Sequence, residues 1–194
     1  KLFNSEESFQ IKKKLEQIFD DKFFKEIVKK LKREIFFSRK NKFKTFISLV
    51  RKYNFSNNKS VKRMFLRKLF VSDFQYSFEL SYMLNKSFIV PHTDAVAKLL
   101  SFMIYFPTRE TEGNKIGTTF YASNFKDYDN KHYNYFDDIN KDIFEKNFQK
   151  ILTLPFKKKS LYCFIKSDNS WHSVEPLDLP ENTIRKSINI NVNI

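Results

Sequence analysis

Four side chains with metal-site or anion-site chemistry stand in order along this chain. The first two lie in Pro91-His92-Thr93-Asp94, between the apolar runs Ser87-Phe88-Ile89-Val90 and Leu99 to Phe106. A histidine and a carboxylate two positions apart at the end of an extended segment point to the same side of it. That spacing lets one imidazole nitrogen and one carboxylate oxygen reach a single metal ion. Alone, His-x-Asp is a pattern that chance often produces. A second histidine gives it weight: His172, in Asn169-Ser170-Trp171-His172-Ser173-Val174-Glu175-Pro176, lies 80 positions further on. Arg185 follows 13 positions later, in Ile184-Arg185-Lys186-Ser187-Ile188-Asn189-Ile190-Asn191. Polar and apolar residues alternate there as in a half-buried strand. Arg185, Ser187, Asn189 and Asn191 share one face, opposite Ile184, Ile188 and Ile190. An arginine on an inward face needs a buried anion, and a carboxylate offers the bidentate match. The remaining histidine, His132, falls in a polar stretch and is read as exposed.

The elements that must position these groups change character along the chain. Residues from about Ser5 to Phe37 read as helix, with Asn4 and Glu7 as a capping box. Ile11, Leu15, Ile18 and Phe19, then Phe23, Phe24, Ile27, Val28, Leu31 and Ile35, recur at helical spacing. Asp20-Asp21 is expected to divide the stretch, with Asp21 capping the second helix. A further helix is expected over 42–53, then a polar loop over 54–60, then a helix capped by Ser60. From Phe74 the pattern turns to short apolar and β-branched runs, which predict strands near 74–83, 87–92, 99–107, 116–122, 148–154, 160–166, 171–175 and 184–193. Residues 123–147 are rich in Asn, Asp, Tyr and Lys and read as a long loop with room for a helical turn. Strands without intervening helices predict a mainly β, α+β fold of jelly-roll or sandwich type, with the N-terminal helices on one outer face. One domain over residues 1–194 is expected: a basic helical part, 1–70, and a β core, 71–194.

Composition narrows the setting. The chain has 194 residues, 41% of them hydrophobic, which is enough for a core without disulfides. Its single cysteine, Cys163, is read as a small buried hydrophobe and predicts a reducing, cytoplasmic compartment. No apolar run reaches the roughly 18 residues of a membrane span, and no signal peptide is visible. The net charge of +14 is concentrated: residues 1–70 carry 21 Lys+Arg against 7 Asp+Glu, and residues 71–194 carry 15 of each. The basic part could meet nucleic acid or another anionic surface. Solvated, lysine-rich helix faces explain it more simply.

His-x-Asp, a distant His, then an Arg resembles the 2-oxoglutarate and Fe(II)-dependent dioxygenase superfamily, and is most similar to its prolyl 4-hydroxylase-like branch. The resemblance covers roughly residues 74 to 193. It implies a double-stranded β-helix, cupin-like in form, with His92, Asp94 and His172 as iron ligands. It also implies that Arg185, with Tyr105 and Ser187, holds the far carboxylate of 2-oxoglutarate. Tyr82 matches a tyrosine that often precedes the first metal histidine, and Gly117-Thr118-Thr119-Phe120 looks like the family's glycine-containing strand entry. Ile116 stands where a second glycine is usual, and 123–147 carries no family motif. The implied reaction converts 2-oxoglutarate to succinate and carbon dioxide while hydroxylating a C–H bond, with ascorbate as a supporting reductant. The carboxylate at position 94 argues against the halogenase variant. The substrate, a protein side chain such as prolyl or a small molecule, is left open. Two alternatives stand beside this reading: a non-catalytic cupin-like metal-binding module, and a nucleic-acid-modifying oxygenase that uses the basic helices.

Overall fold

In the computed structural model, residues 5–39, 41–56, 71–113, 116–123, 141–167 and 169–194 are described. Four helices come first: α1 (Ser5–Ile18), α2 (Asp21–Lys30), α3 (Lys32–Ser38) and α4 (Lys42–Val50). The break near Asp20-Asp21 is present, but Asp20 is the cap, its side chain accepting from the Phe23 N–H at 2.7 Å. Asp21 instead accepts the backbone N–H of Phe55 at 2.9 Å, which ties α2 to strand β1 (Lys52–Ser56). That strand overturns the expectation of a helix to Tyr53 and a polar loop from Asn54. It runs parallel to β2 (Val71–Met83), so its conformation comes from a sheet partner distant in sequence. The proposed capping residue Asn4, the helix expected from Ser60, and His132 lie outside the described residues.

All eight predicted strands form, as β2, β3 (Ile89–His92), β4 (Lys98–Tyr105), β5 (Thr119–Ser123), β6 (Phe148–Thr153), β7 (Leu161–Ile165), β8 (His172–Val174) and β9 (Arg185–Asn193). A short helix, α5 (Lys141–Asn147), precedes β6 within the stretch read as loop. The strands make two sheets, ordered β1-β2-β9-β4-β7 and β3-β8-β5-β6, and every pairing except β1·β2 is antiparallel. The pairings β2·β9, β3·β8, β4·β7 and β5·β6 are nested, like the rungs of one long hairpin. The further pairings β4·β9 and β5·β8 join these rungs into the two sheets.

Strand β9 is buried on both faces, not half-buried as its alternation predicts. Ile188, Ile190 and Val192 meet Phe24, Val28 and Ile35 of the helices in one continuous core with Leu99, Leu100 and Phe102 of β4. Each such side chain contributes roughly 2 kcal/mol by leaving water. The helices therefore cover one face of the five-stranded sheet. The other face, carrying Arg185, Ser187, Asn189 and Asn191, looks into a cavity.

Candidate metal centre

The cavity has a volume of about 190 Å³, and His92, Asp94, His172 and Arg185 all line it. Most of its walls are buried or half-buried; Glu79 and Ile89 are exposed and mark its mouth.

A register shift brings the histidines together. Ile89 faces Val174, yet three residues on His92 faces His172. A regular ladder would place Trp171 there. One extra residue on β3 makes the difference, in the segment that contains Pro91, which has no N–H to give to a ladder. The two imidazole centroids end 4.3 Å apart. Each ring is oriented in the same way. His92 Nδ1 lies 2.8 Å from the Val90 carbonyl, and His172 Nδ1 lies 2.9 Å from the Ser170 carbonyl. A carbonyl only accepts, so Nδ1 carries the proton in both rings and Nε2 keeps its lone pair.

Ligand atoms of His92, Asp94 and His172 lie within 4.8 Å of one another. Metal–nitrogen and metal–oxygen bonds of about 2.1 Å place neighbouring ligands of one ion about 3.0 Å apart at right angles, so the three side chains would have to draw in to bind together. Their protonation states suit a ligand set. Burial pushes both histidines down, and His172, enclosed by Phe164, Phe120 and His92, is lowered to about 4. Both are thus neutral ligands near pH 7. Burial acts to raise Asp94, but nearby His172 and Lys98 more than offset it, and the carboxyl is held below its ordinary range. Lys98 Nζ donates to Asp94 Oδ1 at 2.5 Å, and Ser101 Oγ donates to Oδ2 at 3.1 Å. His92, Asp94 and His172 could together hold a metal ion, with coordination positions left open toward the cavity.

Arg185 is 2% exposed. Its Nε donates to the Ile116 carbonyl at 2.6 Å, and its guanidinium lies over the rings of Tyr105 and Phe156 at 5.3 and 5.1 Å. Nη1 lies 3.4 Å from Ser187 Oγ. Among the described residues no carboxylate pairs with Arg185. A buried guanidinium held by a carbonyl, a hydroxyl and two ring faces is charged and has capacity left for an anion.

The other expected residues are placed differently. Tyr105 is the floor under Arg185; its hydroxyl donates to Thr118 Oγ1 at 2.9 Å and accepts from the Thr118 N–H at 3.1 Å. Burial pushes its phenol up. Ser187 lines the cavity. Tyr82 does not: Glu79 and Ser81 of β2 face the cavity, and alternation turns Tyr82 to the opposite side. Cys163 is exposed, contrary to its reading as buried. Lys98, Ser101, Thr118 and Asn191 line the cavity without having been assigned a role from sequence.

No protein-family model, curated protein or solved structure matches this chain.

Proposed function

We propose that this protein is a 2-oxoglutarate- and Fe(II)-dependent oxygenase that hydroxylates a C–H bond. The observation that carries the reading is the pairing of two groups in one cavity: a His-Asp-His set with ligand atoms within 4.8 Å of one another, and a buried arginine that no described carboxylate neutralises. Two imidazoles and one carboxylate are the donor set of non-haem Fe(II) oxygenases, and soft ligands are absent from it. The nested strand pairing supports a double-stranded β-helix, since a rolled-up hairpin distributes its strands over two sheets in this order.

In this reading His92, Asp94 and His172 hold iron, which supplies the oxidative chemistry when bound. Arg185 binds the far carboxylate of 2-oxoglutarate, and Ser187 adds a hydroxyl beside it. Tyr105 and Phe156 fix the plane of the guanidinium. Phe164, Phe120 and the buried sheet interior exclude water from the imidazoles. The single cysteine fits a reducing, cytoplasmic setting, and no helix among the described residues is long and apolar enough to cross a membrane. The basic helices lie across the five-stranded sheet from the cavity, which disfavours their use in presenting nucleic acid to the metal. An arginine poised for an anion disfavours a module that only stores metal.

The experiment is succinate formation from 2-oxoglutarate with Fe(II), alongside anaerobic metal titration of wild type and His172→Ala. The expected result is slow turnover by wild type and loss of both metal and turnover in the variant. Absence of 2-oxoglutarate binding, together with unchanged metal content in His172→Ala, would overturn the proposal.

A further inference from the structure

Lys98 reaches the metal centre only because strand β4 is irregular. Further along β4, Ser101 and Met103 line the cavity, while Leu100 and Phe102 face the helices. Regular alternation would put Lys98 with Leu100 on the helix side and Leu99 in the cavity. The opposite is found: Leu99 is fully buried in the helix-side core, and Lys98 lines the cavity. The cause is a bulge. Lys98 pairs with Asn193 and Leu100 with Val192, so two steps on β4 match one on β9. The irregular segment is held from outside by Arg39, at the end of α3. Its guanidinium donates to the Lys98 carbonyl at 2.8 Å and the Val96 carbonyl at 2.6 Å.

The bulge delivers an ammonium group to a metal ligand. Lys98 Nζ sits 2.5 Å from Asp94 Oδ1, with the two side chains 18% and 9% exposed. Ser101 Oγ takes the other oxygen and is itself 3.3 Å from Asn191 Oδ1. Both carboxylate oxygens of Asp94 therefore accept a hydrogen bond. Each carboxylate oxygen keeps a second lone pair for a divalent cation, so the competition at Asp94 is between like charges and not for lone pairs. The ammonium is the group the cation repels.

Resting on the reading of His92, Asp94 and His172 as metal ligands, we infer that Lys98 is a placeholder cation: it neutralises and orients Asp94 in the metal-free protein and is displaced when metal binds. Lys98 is a positioning residue in this scheme, acting through Asp94. Its presence stabilises the metal-free fold, because an uncompensated buried carboxylate is costly. The same presence weakens metal binding, because the ion must compete with it. These two effects have opposite signs. A lysine that merely supported the structure would move both in one direction.

The test uses the full chain, with Mn(II) as a redox-inert probe in calorimetric titration and thermal melts in chelator. Lys98→Met keeps an unbranched side chain, one atom shorter, and removes its charge. It should lower the metal-free melting temperature and bind Mn(II) roughly tenfold or more tightly, about 1.4 kcal/mol per factor of ten. Lys98→Arg restores the charge and should return both values toward wild type. If wild type binds Mn(II) and Lys98→Met binds it equally or more weakly, the placeholder role is overturned and the metal centre stands. If neither protein takes up metal, and His172→Ala behaves like both, the metal reading itself is overturned.

Discussion

Acid should destabilise the metal-free protein through His172, by an amount the structure sets. In the unfolded chain this imidazole titrates near its ordinary value of about 6.5. In the fold, burial among Phe164, Phe120 and His92 lowers it to about 4. The unfolded state therefore takes up the proton first as pH falls. Stability is fully present above about pH 6.5, declines below it, and the loss is complete near pH 4. A difference of about 2.5 pH units corresponds to about 3 kcal/mol, at roughly 1.4 kcal/mol per unit. At pH 5 the part already lost is about 2 kcal/mol. His92 is lowered in the same direction and adds to the effect. The assay is urea unfolding in chelator at pH 7.5 and pH 5. With a denaturant slope near 2 kcal/mol per molar, the midpoint should fall by about 1 M from His172 alone. His172→Gln removes the titrating group, so most of that pH-dependent fall should vanish in the variant. Equal falls in the two proteins, or a wild type that gains stability toward pH 5, would refute the account of His172 as a buried neutral ligand. The same neutrality keeps its Nε2 lone pair available for metal at pH 7.

Three substitutions test other parts of the site. Gly117→Ala should cost more than about 3 kcal/mol, or prevent folding, because a Cβ at 117 would meet the Leu154 backbone oxygen at 1.7 Å and its carbon at 2.7 Å; an unchanged melting temperature would contradict that close approach. Arg185→Met should leave Mn(II) affinity intact and raise the 2-oxoglutarate concentration needed for half-maximal succinate formation by at least about tenfold, the value of a charge-assisted hydrogen bond; loss of metal instead would make Arg185 structural. Tyr105→Phe should lower stability by about 1–2 kcal/mol in thermal melts, since the Thr118 N–H loses its acceptor. It should change the 2-oxoglutarate requirement little, because the hydroxyl is spent on Thr118; a large rise would mean that it reaches the cosubstrate.

What could be read from the sequence was the chemistry carried by residue type. Two histidines, a carboxylate and an arginine are residue types able to take a metal and an anion, and the apolar runs of β2 to β9 mark themselves as strands. What could not be read was register, because pairing is decided by partners far away in sequence. Strand β1 owes its conformation to β2. Tyr82 was placed by its spacing from His92, and alternation along β2 turns it away from the cavity. Tyr105 stands beside Arg185 as its floor, a position that depends on Thr118 standing across the sheets. The half-buried pattern of β9 hid a second buried face, since its asparagines and serine border a cavity and not water. Two interruptions of alternation were visible nonetheless. Pro91 stands inside a strand, and Lys98-Leu99-Leu100 puts two leucines side by side where one face should be polar. Both mark bulges. One sets His92 opposite His172, and the other turns Lys98 toward Asp94. Breaks in the periodicity thus lie where the candidate metal centre gathers side chains that a regular strand would aim elsewhere.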